Sequence, residues 1–374
     1  MRLSAGDRFA VCVAFCAAAM AACGGSGSAR PAVTIAPLTP ATEAAVVHIE
    51  PLTPARTATV LLSPTALPEH CPEPFVTPLP PSPTPEATAT ELPDGVTPEP
   101  TPPIRLPHAF DVPQPAPSVT PVALRSDAAL ERAIRARLGD DAPHYAIVIK
   151  DVRDGRGVAI EPDRIFYAAS LFKLEVMYEV FHQRDAGTLS FDEEYIASDY
   201  YAGFDLGPHR IQLCEKVSIG DALAAMLSVS DNVAAVMLQD RAGAGNINNA
   251  MAALGLEETR LTEDGSLPAT AADMARLLET IALGGAVSEA ASNEMALLMA
   301  TEEIDDRIPH HLPKGTIVAH KTGNWETATH DAGIVYGKRS TYVMVLMSDI
   351  GFDGDAGSVE ADIAKIAWDH LEGQ

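Results

Sequence analysis

From residue 124 onward, apolar positions recur with two different periods. Leu130, Ile134 and Leu138 fall four apart on one helical face, between Ser126-Asp127 at the start and Gly139 at the end. Residues 144–152 (HYAIVIKDV) read as a β-branched strand. Asp154-Gly155 then turns the chain into a hairpin partner over 157–161. The stretch 166–179 (FYAASLFKLEVMYE) changes period again. Leu171, Leu174, Met177 and Phe181 form one stripe, and Phe172, Val176 and Val180 form another. A helix apolar nearly all round is buried. Residues 191–216 show no period and read as loop. Helices are predicted over 218–227, from there to 240 after Ser230-Asp231-Asn232, and over 246–254, 270–283 and 288–300. Strands follow at 315–321, 331–336 and 341–348, with a turn at Gly337-Lys338, and an amphipathic helix closes the chain at 361–371. Strands at both ends with helices between them predict an α+β domain: one antiparallel sheet built from both termini, plus a helical lobe.

Composition separates this domain from what precedes it. Of the 30 prolines, 24 lie between Pro31 and Pro121. Residues 23–123 therefore read as a disordered Pro/Thr-rich linker, with Thr-Pro repeated and no apolar period to pay for ordering. Residues 124–374, about 250 of them, are enough to bury a substantial core. Residues 1–22 read as a signal segment, with Arg2 and Arg8 before an apolar run too short to span a bilayer. That run ends in Ala21-Ala22-Cys23-Gly24, which resembles a bacterial lipobox. The resemblance implies lipidation of Cys23 and a chain lipid-anchored to the cell membrane, outside the cytoplasm and facing the cell wall. Of the five cysteines, Cys71 and Cys214 would remain unmodified. A disulfide between them is one option, and two free thiols are the reading preferred here. No Cys/His cluster at metal spacing exists, so no metal and no cofactor is expected. The domain carries 21 Lys and Arg against 41 Asp and Glu, which argues against nucleic acid as a partner.

Three short motifs carry the chemistry. Ser170 and Lys173 lie three apart, on one face of a helix start, where the helix dipole favours anionic species and a desolvated lysine can serve as base. Ser230-Asp231-Asn232 joins two predicted helices. Lys321-Thr322-Gly323 ends a predicted strand. Each motif is weak alone. Their order, spacing and context together are those of the penicilloyl-serine enzymes.

The domain resembles the class A serine β-lactamase family over roughly residues 124–374. The resemblance extends to Thr259-Arg260-Leu261, to 269–277 (ATAADMARL) and to the segment from His320 to Val335. It implies the β-lactamase/transpeptidase-like two-lobed fold with a monomeric catalytic domain. It also implies that Ser170 is the nucleophile, Lys173 the base or proton relay, and Ser230 the proton donor to the leaving nitrogen. Lys321 and Thr322 would hold the substrate carboxylate, with Gly323 alongside, and Asn232 its amide side chain. The N–H groups of Ser170 and Asn324 would form the oxyanion hole. The expected substrate is a β-lactam or a peptidoglycan-derived amide. One family element is in doubt: the loop that carries the water-activating glutamate is shortened here. Glu263 is the candidate by position and Asp264 the second, and both are equally readable as surface acids of a tight turn. The alternatives to a β-lactam hydrolase are a D,D-peptidase-like or other amide or ester hydrolase, and a penicillin-binding sensor that stays acylated. His310, His311, His320 and His330 read as structural.

Overall fold

The computed structural model describes residues 121–204, 207–351 and 354–373. The signal segment, Cys23, Cys71 and nearly all of the linker lie outside them. The described chain begins with a two-residue strand β1 (Arg125–Ser126) and helix α1 (Ala128–Leu138). Asp127 caps α1, its Oδ1 accepting from the N–H groups of Ala129 and Leu130 at 3.0 and 3.1 Å. Strands β2 (Tyr145–Asp151), β3 (Arg156–Ile160) and β4 (Ile165–Tyr167) follow, and then helix α2 (Phe172–Asp185).

The segment read as loop contains a short hairpin, β5 (Glu194–Ile196) with β6 (Lys216–Ser218), and a 3-10 turn over Asp199–Phe204. Cys214, which precedes β6, is disulfide-bonded, which corrects the expectation of free thiols. No other cysteine is among the described residues, so its partner lies outside them.

The helical lobe continues with α3 (Ile219–Ser228), α4 (Asn232–Ala242), α5 (Ala244–Ala253), β7 (Pro268–Thr270), α6 (Ala271–Ala282) and α7 (Glu289–Met299). Side chains of Ser218, Asp231, Thr270 and Ser288 cap α3, α4, α6 and α7, so these starts are fixed locally by sequence. The chain then returns through β8 (Ile317–Trp325), β9 (Ala328–Tyr336) and β10 (Thr341–Ser348) to helix α8 (Ala356–Leu371).

The main sheet has the order β1-β3-β2-β10-β9-β8. It is antiparallel except for the β1–β3 pair. Alternation along β10 divides the core in two. Val343, Val345 and Met347 pack against the helical lobe, whereas Tyr342, Met344 and Leu346 face α1 and α8. Helix α2 is sheathed by the first of these cores, with Leu174, Val176, Met177, Val180 and Phe181 all fully buried. Each such side chain contributes about 1.5–3 kcal/mol of burial. That anchoring holds the start of α2 against the edge of the sheet, where β8 lies.

Candidate functional site

The site is assembled from four backbone features. The first is the turn that carries Ser170. Strands β4 and β7 pair antiparallel and bring the chain to Ala168, whose N–H donates to Leu267 O at 2.8 Å. Residues 169–171 form a single 3-10 turn that runs directly into α2, so Ser170 sits just ahead of the α-helix rather than within its first turn. Ala169 adopts φ 47°, a left-handed conformation that costs an alanine about 1 kcal/mol. Strain of this kind persists only where surrounding contacts impose it, and it tends to cluster at functional sites. Ser170 itself is half-buried.

The second feature is Lys173, one turn on and fully buried. Its Nζ lies 2.6 Å from Ser230 O, 2.8 Å from Asn232 Oδ1 and 2.9 Å from Ser230 Oγ. Burial, and then the charge of Lys321, hold its proton affinity well below the usual lysine value, against the opposing pull of Asp231 and Glu302. All three partners are oxygens placed to accept from Nζ, so the amine is held towards the second motif. No hydrogen bond joins Lys173 to Ser170 Oγ among the described residues. Such contacts are often long before a substrate binds.

The third feature is the link between α3 and α4. Ser230 has φ 62°. Asp231, fully buried, fixes that turn. One carboxylate oxygen caps α4 through Ala234 N at 2.9 Å, and the other accepts Arg210 N at 2.7 Å and Ile211 N at 3.0 Å. Asp231 is therefore a scaffold, and Ser230 and Asn232 on either side of it are the groups turned onto Lys173.

The fourth feature is β8, the edge strand, which runs on through the third motif to Trp325 rather than stopping at it. Lys321 and Thr322 are buried. A Cβ on Gly323 would come 3.2 Å from Ala168 O, so the glycine lets β8 lie against the nucleophile's turn. His330 on β9 clamps the same turn: its Nε2 donates to Tyr167 O at 2.8 Å, and its Nδ1 accepts Ser348 N at 3.2 Å. That pairing requires the neutral ring, and burial lowers the imidazole to about 4. Asn324 Oδ1 accepts from Arg307 Nη2 at 2.6 Å, and Arg307 Nη1 also holds His330 O at 3.1 Å.

Glu302, in the segment that leaves α7, has no periodic signal in the sequence, yet its buried carboxylate pairs with Lys321 Nζ and accepts Thr322 N at 3.3 Å. Burial lowers the Lys321 ammonium's pKa, while the charge and hydrogen bond of Glu302 act in the opposite direction. The structure thus brings together the Ser170 turn, Lys173, Ser230, Asn232, Lys321, Thr322 and Gly323. Glu263 is not joined to them. It lies exposed in a turn that closes on itself, with Asp264 Oδ1 accepting Ser266 N at 3.0 Å and Leu267 N donating to Thr262 Oγ1 at 3.2 Å.

Residues 129–371 match the family model described as the beta-lactamase enzyme family. The chain belongs to that family. Among solved structures, this beta-lactamase-family protein is similar to PBP-A, with a TM-score of 0.62 at 22% identity, covering 68% of this chain and 100% of that one. It is similar also to a β-lactamase from Sphaerobacter thermophilus, with a TM-score of 0.60 at 22% identity over 65% of this chain and 97% of that one. The TLA-1 extended-spectrum β-lactamase gives 0.58 at 20% identity over 65% and 98%. At these identities the likeness is one of fold. No curated protein matches the chain. Together they establish a β-lactamase/transpeptidase-like fold of the serine hydrolase type.

Proposed function

We propose that the protein is a serine hydrolase of the class A type, acylated on Ser170 by β-lactams and releasing the opened ring. The observation that carries this reading is the placement of Lys173, a buried lysine of lowered proton affinity whose Nζ lies 2.9 Å from Ser230 Oγ and 2.8 Å from Asn232 Oδ1 of the second motif. In the step proposed, Ser170 Oγ attacks the lactam carbonyl carbon and its proton passes to Lys173. The C–N bond breaks as Ser230 Oγ–H protonates the ring nitrogen, and Lys173 returns a proton to Ser230. N–H groups of Ser170 and Asn324 would meet the oxyanion, a contribution worth about 10²–10³ in rate per donor. Export, lipidation at Cys23 and membrane anchoring belong to the same proposal and rest on the N-terminal sequence, and a monomeric catalytic domain belongs to it on the family resemblance.

A second reading is favoured by one specific observation, the exposed position of Glu263. With the candidate water activator not joined to the site, the acyl-enzyme would persist, as in a penicillin-binding module or a D,D-peptidase-like enzyme. A variant of PBP-A, a structure of the same fold, is described as an acyl-enzyme complex with penicillin G. Turnover of a chromogenic cephalosporin, with Ser170→Ala as control, separates the two. Hydrolysis lost in the alanine variant supports the first. A single stable mass addition without turnover supports the second. No addition by any β-lactam overturns both.

A further inference from the structure

Lys321 is the group that the family resemblance assigns to a substrate carboxylate, yet the protein supplies a carboxylate of its own. Glu302 is held by its backbone, Glu302 N donating to Met299 O at 3.3 Å and Glu303 N to Ser228 O at 2.8 Å. The segment is thereby stitched between the end of α7 and the residue two before Ser230. Both side chains of the Lys321–Glu302 pair are 0% exposed. Glu302 Oε2 takes Lys321 Nζ and the N–H of Thr322, while its Oε1 is buried with no hydrogen-bond partner. Glu302 is the sole hydrogen-bond partner of Lys321 Nζ among the described residues.

We propose that Glu302 is a built-in counter-anion of Lys321 and a specificity-determining residue, so that the site accepts acyl donors lacking a carboxylate about as readily as those bearing one. The proposal rests on the acyl-transfer reading of Ser170. Physically, a ligand carboxylate approaching Lys321 meets an ammonium already neutralised by a carboxylate in hydrogen-bond contact. Attraction to one is offset by repulsion from the other, and the selectivity of an unpaired buried lysine is lost. The substrate class this admits, beside carboxylate-bearing donors, is neutral amides and esters with no acid group beside the scissile bond. Glu302 acts through Lys321 and touches no reacting atom, so it is a positioning residue. A merely structural role would stabilise the fold without altering the preference between acid and ester.

The test uses the full chain and two probes, a penicillin with its free carboxylate and the methyl ester of the same compound. Acylation of Ser170 is followed by intact mass. In the wild type the two rates are expected within about tenfold of each other, and in Glu302→Gln the acid should gain at least about tenfold over the ester. A wild type that prefers the acid by about a thousandfold, or a ratio unchanged in Glu302→Gln, overturns the proposal. If neither probe acylates the wild type, the acyl-transfer reading fails, and Glu302 is then tested without substrate. Lysine side-chain NMR follows the titration of Lys173, which faces Lys321 on β8, Asp231 before α4 and Glu302 after α7. Lys321 in turn faces Glu302, Asp331 and Arg307. Removing the Glu302 charge leaves Lys321 uncompensated, so Lys173 should titrate at lower pH in Glu302→Gln, with Glu302→Asp between the two. An unchanged titration overturns the counter-anion role. Should the glutamine variant not fold, the aspartate variant decides, and an acid-to-ester ratio and a Lys173 titration equal to the wild type's overturn it.

Discussion

Gly323 on β8 and Ala168 before the nucleophile approach so closely that a methyl group on the glycine would meet the alanine's carbonyl oxygen at 3.2 Å and the His330 ring at 3.3 Å. The third motif's glycine is thus a spacer between two backbones. Gly323→Ala should push β8 and the Ser170 turn apart by a few tenths of an ångström. Acylation is expected to slow by about tenfold or more, because misplacement of a full ångström costs about 10²-fold. Acylation kinetics alongside a melting curve check this, and a rate equal to the wild type's would show that the spacing is slack.

Lys173→Ala removes the proposed base and leaves Ser230 Oγ and Asn232 Oδ1 without their shared partner. Acylation should fall by about 10²–10⁴-fold. Ser230→Ala keeps the base but removes the proton donor to the leaving nitrogen, so it should also slow acylation while Ser170 remains modifiable on long incubation. Stopped-flow acylation with mass detection measures both.

Two histidines on neighbouring strands make stability depend on pH in opposite directions. Burial would depress His320, but the charge of Asp331, the hydrogen bonds the ring donates to Asp305 and Asp331, and the charge of Glu302 raise it to about 9. A raised histidine stabilises below its unfolded value of 6.5, and that contribution, about 3 kcal/mol at most, is lost as pH rises through about 9. His330 is the reverse case, lowered to about 4, so its contribution is present above 6.5 and lost as pH falls towards 4. The melting temperature should therefore fall at both ends. His330→Gln should flatten the acid limb and leave the alkaline one, as melts from pH 4 to 10 would show.

Cys214 is disulfide-bonded, and under the signal removal and Cys23 lipidation proposed above the sequence leaves Cys71 as its partner. Non-reducing peptide mapping should recover the Cys71 and Cys214 peptides joined. Reduction should cost about 2–4 kcal/mol of stability. A free thiol at Cys71 would show that the pairing is with another cysteine.

Much of the fold was legible because it is written in local signals. Asp127, Ser218, Thr270 and Ser288 stand where helices begin, and the near-continuous apolar runs of β2 and β10 mark strands buried on both faces. The three-residue strands β4, β5, β6 and β7 were not legible, since three positions carry no period. β8 runs past the predicted end at 321 to Trp325, because an edge strand accommodates Gly323 and Asn324. Ser170, Lys173, Ser230 and Lys321 were legible as motifs. Glu302 and Arg307 were not, because each acts through a tertiary approach to β8 that nothing in their own neighbourhood encodes.

The pairing of β2 with β10 has a consequence for synthesis. Ile149 lies opposite Met344, and the whole helical lobe is made between them. The central ladder cannot close until β10 has been made, so the edge that presents Lys321 joins β2 only after the whole helical lobe exists. Such long-range closure makes for slow folding. A polypeptide truncated before β10 should retain no partial activity, even though Ser170, Lys173 and Ser230 are all present in it.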